Sequence, residues 1–153
     1  MSIPQAGGGL IESFDQLANF LEQGNKPKTD WRIGTEHEKF GYCKDTFKAL
    51  PYEGERSIQS ILQGLRDQFN WASVEEGGHL IGLTKGGANV SLEPGGALEL
   101  SGAPLETIHE TCDEVNVHLR EVKEIADRIG AGFIGLGAAP IWQHEDVGLM
   151  PKG

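Results

Sequence analysis

Hydrophobic positions along the chain recur with two periods. Between Ser13 and Gly24, the residues Phe14, Leu17, Ala18 and Leu21 return every three or four positions, as on one face of a helix. Ser13 followed by Gln16 has the form of a capping box, and Gly24 that of a stop. Ile58, Ile61, Leu62, Leu65 and Phe69 predict a second amphipathic helix ending near Asn70. A third and longer stripe runs through Leu105, Ile108, Cys112, Val115, Leu119, Val122, Ala126 and Ile129. It predicts a helix opening at Ala103-Pro104 and closing at Gly130, about seven turns long at ~3.6 residues per turn. Glu106, Glu110, Glu114 and Glu121 lie off that stripe and are expected in solvent, with His109 and His118 flanking it.

The other period is two. Over Trp31–Tyr42 (WRIGTEHEKFGY) alternation puts Arg32, Gly34, Glu36, Glu38, Phe40 and Tyr42 on one face of a strand, and Ile33, Thr35, His37 and Lys39 on the other. His79 to Leu83, Asn89 to Leu92 and Leu98 to Ser101 read as three short strands joined by Lys85-Gly86-Gly87 and Pro94-Gly95-Gly96. Connections so short make an antiparallel meander. Residues 131–138 (AGFIGLGA) predict a buried strand, Glu75-Glu76-Gly77-Gly78 a surface turn, and Trp142 to Asp146 an exit loop without assignable chemistry. The expected class is α+β, an antiparallel β-sheet covered by amphipathic helices. Helices and strands interleave throughout, which predicts a single domain over residues 1–153, with the Gly-rich residues 1–11 flexible.

Composition narrows the partners. A chain of 153 residues is long enough to bury a sizeable core. Its formal charge of −10 disfavours nucleic acid and anionic membranes, which would be repelled. No apolar run is long enough for a transmembrane helix. The first residues, MSIPQAGGGLIESF, lack the basic and apolar regions of a secretory signal, so the expected compartment is the cytoplasm. The two cysteines, Cys43 and Cys112, have no metal-binding spacing, and a reduced state is expected. Cys112 falls on the apolar stripe, where a packed, inert thiol is expected.

The candidate chemistry is acidic. Glu36 and Glu38 are same-face neighbours, and burying such carboxylates unpaired costs several kcal/mol each. A cation over that face would resolve the cost, and Mg²⁺ is held by carboxylate oxygens together with phosphate oxygens of a substrate. Alone, an E-x-E pair is better explained by two surface glutamates on a solvated edge. A second acidic stretch, NVSLEPGGALELS, changes the weighing. With Pro94-Gly95-Gly96 as the turn, Glu93 sits opposite Ala97, and Glu99 lies diagonally across on the same face. Glu36, Glu38, Glu93 and Glu99 together suit one or two Mg²⁺ ions clamping a nucleotide's phosphates. His37 points away from them, and Arg32 and Lys39 suit either phosphate pairing or solvent. Lys85-Gly86-Gly87 lacks the helix of a P-loop, and GFIGLG departs from the dinucleotide fingerprint.

The segments WRIGTEHEKFGY, HLIGLTKGGANVSLEPGGALELSGAPLETIHETCDEVNVHLREVKEIA and GFIGLGAAPIW resemble the glutamate–cysteine ligases of the plant and proteobacterial type. The likeness runs from about Phe14 to the last residue, and the run SLEPGGALELSGAPLE is its most specific part. It implies an ATP- and Mg²⁺-dependent ligase on a glutamine-synthetase-like antiparallel sheet, joining the γ-carboxyl of glutamate to the amine of cysteine in the first step of glutathione synthesis. It also places Glu36 and Glu38 on the family's E-x-E metal strand, and Glu93 and Glu99 on its metal hairpin. By the same likeness Glu38, Glu93 and Glu99 share one ion, while Glu36 helps hold the ion nearer the transferred phosphate. Plant members carry regulatory disulfides, so the resemblance leaves open a bond from Cys112 to a cysteine beyond this chain, while the stripe favours the inert thiol. Family enzymes are far longer, so the chain reads as an N-terminal portion whose partner is the missing C-terminal part of the enzyme. Two other functions stay open: a related carboxylate–amine ligase with another amine acceptor, and an inactive metal- or nucleotide-binding fragment.

Overall fold

A computed structural model describes residues 9–151. Six strands form one antiparallel sheet: β1 (Glu36–Cys43), β2 (Ala72–Glu76), β3 (His79–Lys85), β4 (Ala88–Leu92), β5 (Leu98–Ser101) and β6 (Ala131–Ile134), in the order β2-β3-β4-β5-β1-β6. The middle of the sheet is the meander that the short connections predict. Gly86 and Gly87 both adopt positive φ, 58° and 91°, which lets β3 turn directly into β4 with the twist that strands require. β1 then slots between β5 and β6, so the first strand of the chain becomes an interior strand.

Three helices accompany the sheet: α1 (Phe14–Glu22), α2 (Ile58–Phe69) and α3 (Ile108–Arg128). Ser57 caps α2 by accepting from the Ser60 N–H at 3.1 Å, and Asn70 ends it in the left-handed region. Ile58, Ile61, Leu62 and Leu65, the stripe read from the sequence, are all buried. They form one core with Leu83, Val90, Leu92, Leu98 and Leu100 of the sheet and Val122, Ile125 and Ala126 of α3. The two long helices meet closely at Gly64, where an added Cβ would lie 2.6 Å from Ile125 Cγ2. Both helices therefore pack on one face of the sheet; the opposite face is polar over β4, β5 and the start of β1 and aromatic at Phe40 and Tyr42.

Several expectations need correction. The strand over Trp31–Tyr42 begins only at Glu36; Ile33 instead makes an isolated bridge to Leu105, through N–H···O bonds of 2.7 and 2.9 Å. That bridge keeps residues 103–105 extended, so α3 opens at Ile108. Its cap is Thr107, in a reciprocal capping box with Glu110 that the T-x-x-E pattern announces. The buried side of α3 is also rotated from the apolar stripe: Thr111, His118, Glu121, Val122, Ile125 and Ala126 face inward. Cys112 is exposed, not packed, as are Ile108 and Leu119. Glu121 is inside because it accepts from Trp71 Nε1 at 2.9 Å and pairs with Lys85 at 3.3 Å. Paired polar side chains can be buried where a hydrophobic pattern predicts surface. Glu75 and Glu76 belong to edge strand β2 rather than to a turn, and β6 stops at Ile134. No residue of α1 is buried, and Phe14, Phe20 and Leu21 stand in the open. The expected flexibility of residues 1–11 falls mostly outside the described residues. Among the described residues, no helix is long and apolar enough to cross a membrane.

Leu65 is fully buried between α2 and the sheet, so Leu65→Ala is expected to lower unfolding stability by about 2–5 kcal/mol in urea titrations, through the cavity it leaves. His118 gives a pH signature. It is 2% exposed with both ring nitrogens lacking a hydrogen-bond partner, and burial, then Lys39 and His37, push its pKa down to about 3. As pH falls, the unfolded chain takes this proton near its ordinary value of 6.5 while the folded chain refuses it. Its stability contribution is complete above about pH 6.5 and drains away toward pH 3. His118→Leu is expected to flatten the slope of unfolding free energy between pH 6.5 and 4, a slope worth up to a few kcal/mol at ~1.4 kcal/mol per pK unit. An unchanged slope would show that the carboxylates alone set the acid response.

Candidate active site

The turn between β4 and β5 aligns the acidic positions. Gly95 and Gly96 sit at φ 78° and 79°, values that an L side chain resists, and the Gly96 N–H donates to the Glu93 carbonyl at 3.0 Å. The Glu93 N–H donates to Ala97 at 2.8 Å, so Glu93 stands opposite Ala97 as the sequence predicts. From that point the register is determined. Ser91 lies opposite Glu99, Glu99 opposite Glu38, and Ser101 opposite Glu36. Side chains directly opposite one another in an antiparallel pair share a face, with Cβ atoms about 4.5–5.5 Å apart. Glu36, Glu38, Glu93 and Glu99 therefore all project from the face that α2 and α3 leave uncovered.

Their environments differ. Glu36 and Glu38 are exposed and Glu93 is half-buried, but Glu99 is only 5% exposed. Two hydroxyls attend its carboxylate, Ser91 Oγ at 3.4 Å and Ser101 Oγ at 3.2 Å. Both serines lie in the motif SLEPGGALELS, where the same alternation that aligns the glutamates puts them on the acidic face. That alternation is the signal in the sequence that marks them.

On the reverse of the same strands lies Lys39, 1% exposed. Its ammonium donates to the carbonyls of Leu98 at 3.2 Å and His37 at 3.3 Å, tying β1 to β5 beside the Glu38–Glu99 pair. Burial pushes its pKa down to about 7 against the opposing pull of Glu99. Lys39 is thus neither a solvated charge nor a phosphate ligand on the acidic face. Arg32 is engaged elsewhere, with Glu106 at 3.0 Å and the carbonyls of Thr29 and Trp31. His37 shares the Lys39 face, turned from the glutamates as alternation requires. Lys85 pairs with Glu121 and lies 5.4 Å from the Trp71 ring centre, and its Gly-Gly turn serves as a hairpin connection.

The four glutamates supply hard oxygen donors, the chemistry that Mg²⁺ and Ca²⁺ prefer. They line one face without closing on one point: among the described residues, no three acidic, imidazole or thiol side chains form a ready-made metal cluster. The donor type and the shared face fit a divalent cation, with side-chain rotation of the exposed Glu36 and Glu38 needed to complete a shell. Next to this row the chain after β6 returns to the sheet. Trp142 meets the Phe40 ring edge-on at 5.7 Å, so the expected exit loop contributes to the face beside Glu38.

The glutamate-cysteine ligase family 2 (GCS2) model matches residues 32–153. The chloroplastic glutamate–cysteine ligase A of rice (Oryza sativa subsp. japonica) is 50% identical over 139 residues, covering 91% of this chain and 28% of the relative. The chloroplastic ligase of Medicago truncatula is 50% identical over 137 residues, covering 90% of this chain and 26% of the relative. That of Arabidopsis thaliana is 49% identical over 139 residues, covering 91% and 26%. The chain spans little more than a quarter of the length of these relatives. Their names contradict the cytoplasmic expectation, because these proteins are chloroplastic. The expectation rested on a missing secretory signal, and an organelle transit peptide has a different composition from one. With the family model covering residues 32–153 and half of the aligned positions shared with named ligases, the chain belongs to the glutamate–cysteine ligase family 2.

Proposed function

We propose that this chain forms the metal-binding part of an ATP- and Mg²⁺-dependent ligase that joins the γ-carboxyl of glutamate to the amine of cysteine, as in glutathione synthesis. The observation that carries the reading is the placement of Glu36, Glu38, Glu93 and Glu99 on one face of β1, β5 and the β4–β5 turn, the face turned away from α2 and α3. Glu38, Glu93 and Glu99 would hold one ion and Glu36 would help hold a second, nearer the transferred phosphate. When bound, Mg²⁺ neutralises the ATP phosphates and the charge that builds up during phosphoryl transfer. The glutamates hold and orient; none is placed to move a proton. Ser91 and Ser101 keep the Glu99 carboxylate aimed, and Lys39 keeps β1 and β5 in step behind it. In this reaction the glutamate γ-carboxylate would attack the terminal phosphoryl group of ATP with release of ADP, and the cysteine amine would then displace phosphate from the acyl phosphate, losing a proton as the amide forms.

In the complete gene product containing residues 1–153, Glu38→Ala and Glu99→Ala are each expected to lower Mg²⁺-dependent turnover at least ~100-fold, the scale on which one preorganised electrostatic group acts. Ser101→Ala is expected to weaken metal affinity about tenfold, as loss of an outer-shell partner does. Turnover within about twofold of the parent for both glutamate variants would overturn the proposal. Calorimetry of the same proteins with Mg²⁺–ATP separates ligation from binding alone: nucleotide binding without ligation of any amine would leave a binding module in place of an enzyme.

A further inference from the structure

On the helix side of the sheet, away from the glutamates, α3 and the β3–β4 hairpin bound an open pocket of about 270 Å³. Its walls are mostly apolar: Ala88 and Leu100 of the sheet, Val117 of α3, and the Trp71 ring. His118 lines it too, edge-on to Trp71 with ring centres 6.4 Å apart. That imidazole is 2% exposed, and neither of its nitrogens has a hydrogen-bond partner among the described residues. Glu121, one turn further along α3, is by contrast engaged with Trp71 and Lys85. A buried polar group without a partner costs free energy until something pairs with it.

We propose that this pocket is an accessory binding site for a small, neutral, hydroxylated ring, in the simplest case a phenol, seated against Trp71 and hydrogen-bonded to His118. The charges around the pocket select neutrality. Glu114 and Glu121 line it, opposed by Lys85 at its edge and by Lys39 near His118. An entering anion meets two carboxylates and an entering cation two ammonium groups, so either gives up its hydration for little return. His118 is itself uncharged, its pKa pushed down to about 3 by burial and then by Lys39. A neutral imidazole offers one donor and one acceptor nitrogen, and a hydroxyl can serve either. Water has the same capacity, but a buried water needs two to four polar partners and these walls are largely apolar. Size limits the occupant to about one ring, because sites for drug-sized ligands run to ~300–1,000 Å³. The Trp71 indole favours an aromatic ring, through edge or offset contact. The site goes beyond the ligase reading and does not depend on it, since it takes no reactant and opens on the opposite face from Glu36, Glu38, Glu93 and Glu99.

Calorimetry on the complete gene product, with phenol, toluene, benzoate and benzylammonium as probes, tests this. Phenol is expected to bind saturably with a Kd of about 1 mM or tighter. Benzoate and benzylammonium should bind about tenfold more weakly or worse, as buried charges without partners do. His118→Leu is expected to lower the ratio of phenol to toluene affinity about tenfold, the effect of removing the hydrogen-bond partner. Val117→Trp should block every probe by filling the pocket, and at a position 41% exposed it stands in if His118→Leu does not fold. Mg²⁺–ATP should leave phenol affinity within about twofold, as for uncoupled sites. Absence of saturable phenol binding would mean that water alone occupies the pocket, and would overturn the inference. An unchanged phenol-to-toluene ratio in His118→Leu, binding that survives Val117→Trp, or competition with Mg²⁺–ATP would overturn it equally. None of these outcomes bears on the ligase reading, which stands or falls on turnover.

Discussion

A like-charge pair sits at the centre of this structure. The β1–β5 register sets Glu38 directly opposite Glu99, and two carboxylates in that relation repel each other. Glu99 is nearly buried as well, attended by two serine hydroxyls. Nothing about building a stable sheet calls for this arrangement. Hydrophobic residues at both positions would pair better, as Leu98 and Leu100 do on the other face. The sheet tolerates the repulsion because the register is imposed from elsewhere: by the glycine turn at 95–96, by the apolar face packed under α2 and α3, and by the Lys39 ammonium bridging β1 and β5. A slip of one residue would turn every one of these side chains to the wrong face. Strain held against a rigid packed layer is a common condition of functional sites.

Lys39 shows how far the two faces depend on each other. Its side chain leaves the sheet on the apolar side, where an ammonium is costly, and burial lowers its proton affinity accordingly. It spends its hydrogen bonds on two strand carbonyls adjacent to the acidic pair. His118 lies under the same layer, held neutral by burial and by the nearby positive charge. The apolar core beneath the candidate site thus holds one ammonium and a neutral imidazole, while the outer face above it is acidic. The sheet separates the two by no more than its own thickness.

How much of this the sequence disclosed varied by element. The β4–β5 hairpin was readable to the residue, because Pro94-Gly95-Gly96 admits few turns and alternation then carries Glu93 and Glu99 to one face. Helix α2 was equally plain, since its buried positions are all apolar. Helix α3 was misread in phase because its inner face is partly polar: Thr111, His118 and Glu121 are buried, while Ile108, Cys112 and Leu119 remain outside. Only the Trp71–Glu121 and Lys85–Glu121 contacts explain that choice, and they join residues 50 and 36 positions apart. Strand β2 escaped notice because an edge strand reading ASVEE has little apolar content to bury. The burial of Lys39, by contrast, was implied by the same alternation that aligned the glutamates. Once one face of β1 is acidic and open, the other must be the covered one.

Along β1 the same-face residues run Glu36, Glu38, Phe40, Tyr42, from anionic to aromatic within four strand positions. At about 3.4 Å per residue this change of character spans only some 20 Å. A strand has no flexibility to spare over that distance, so the spacing between the charged and aromatic groups is rigid. The alternation of a single strand, held in register by its neighbours, is sufficient to encode it.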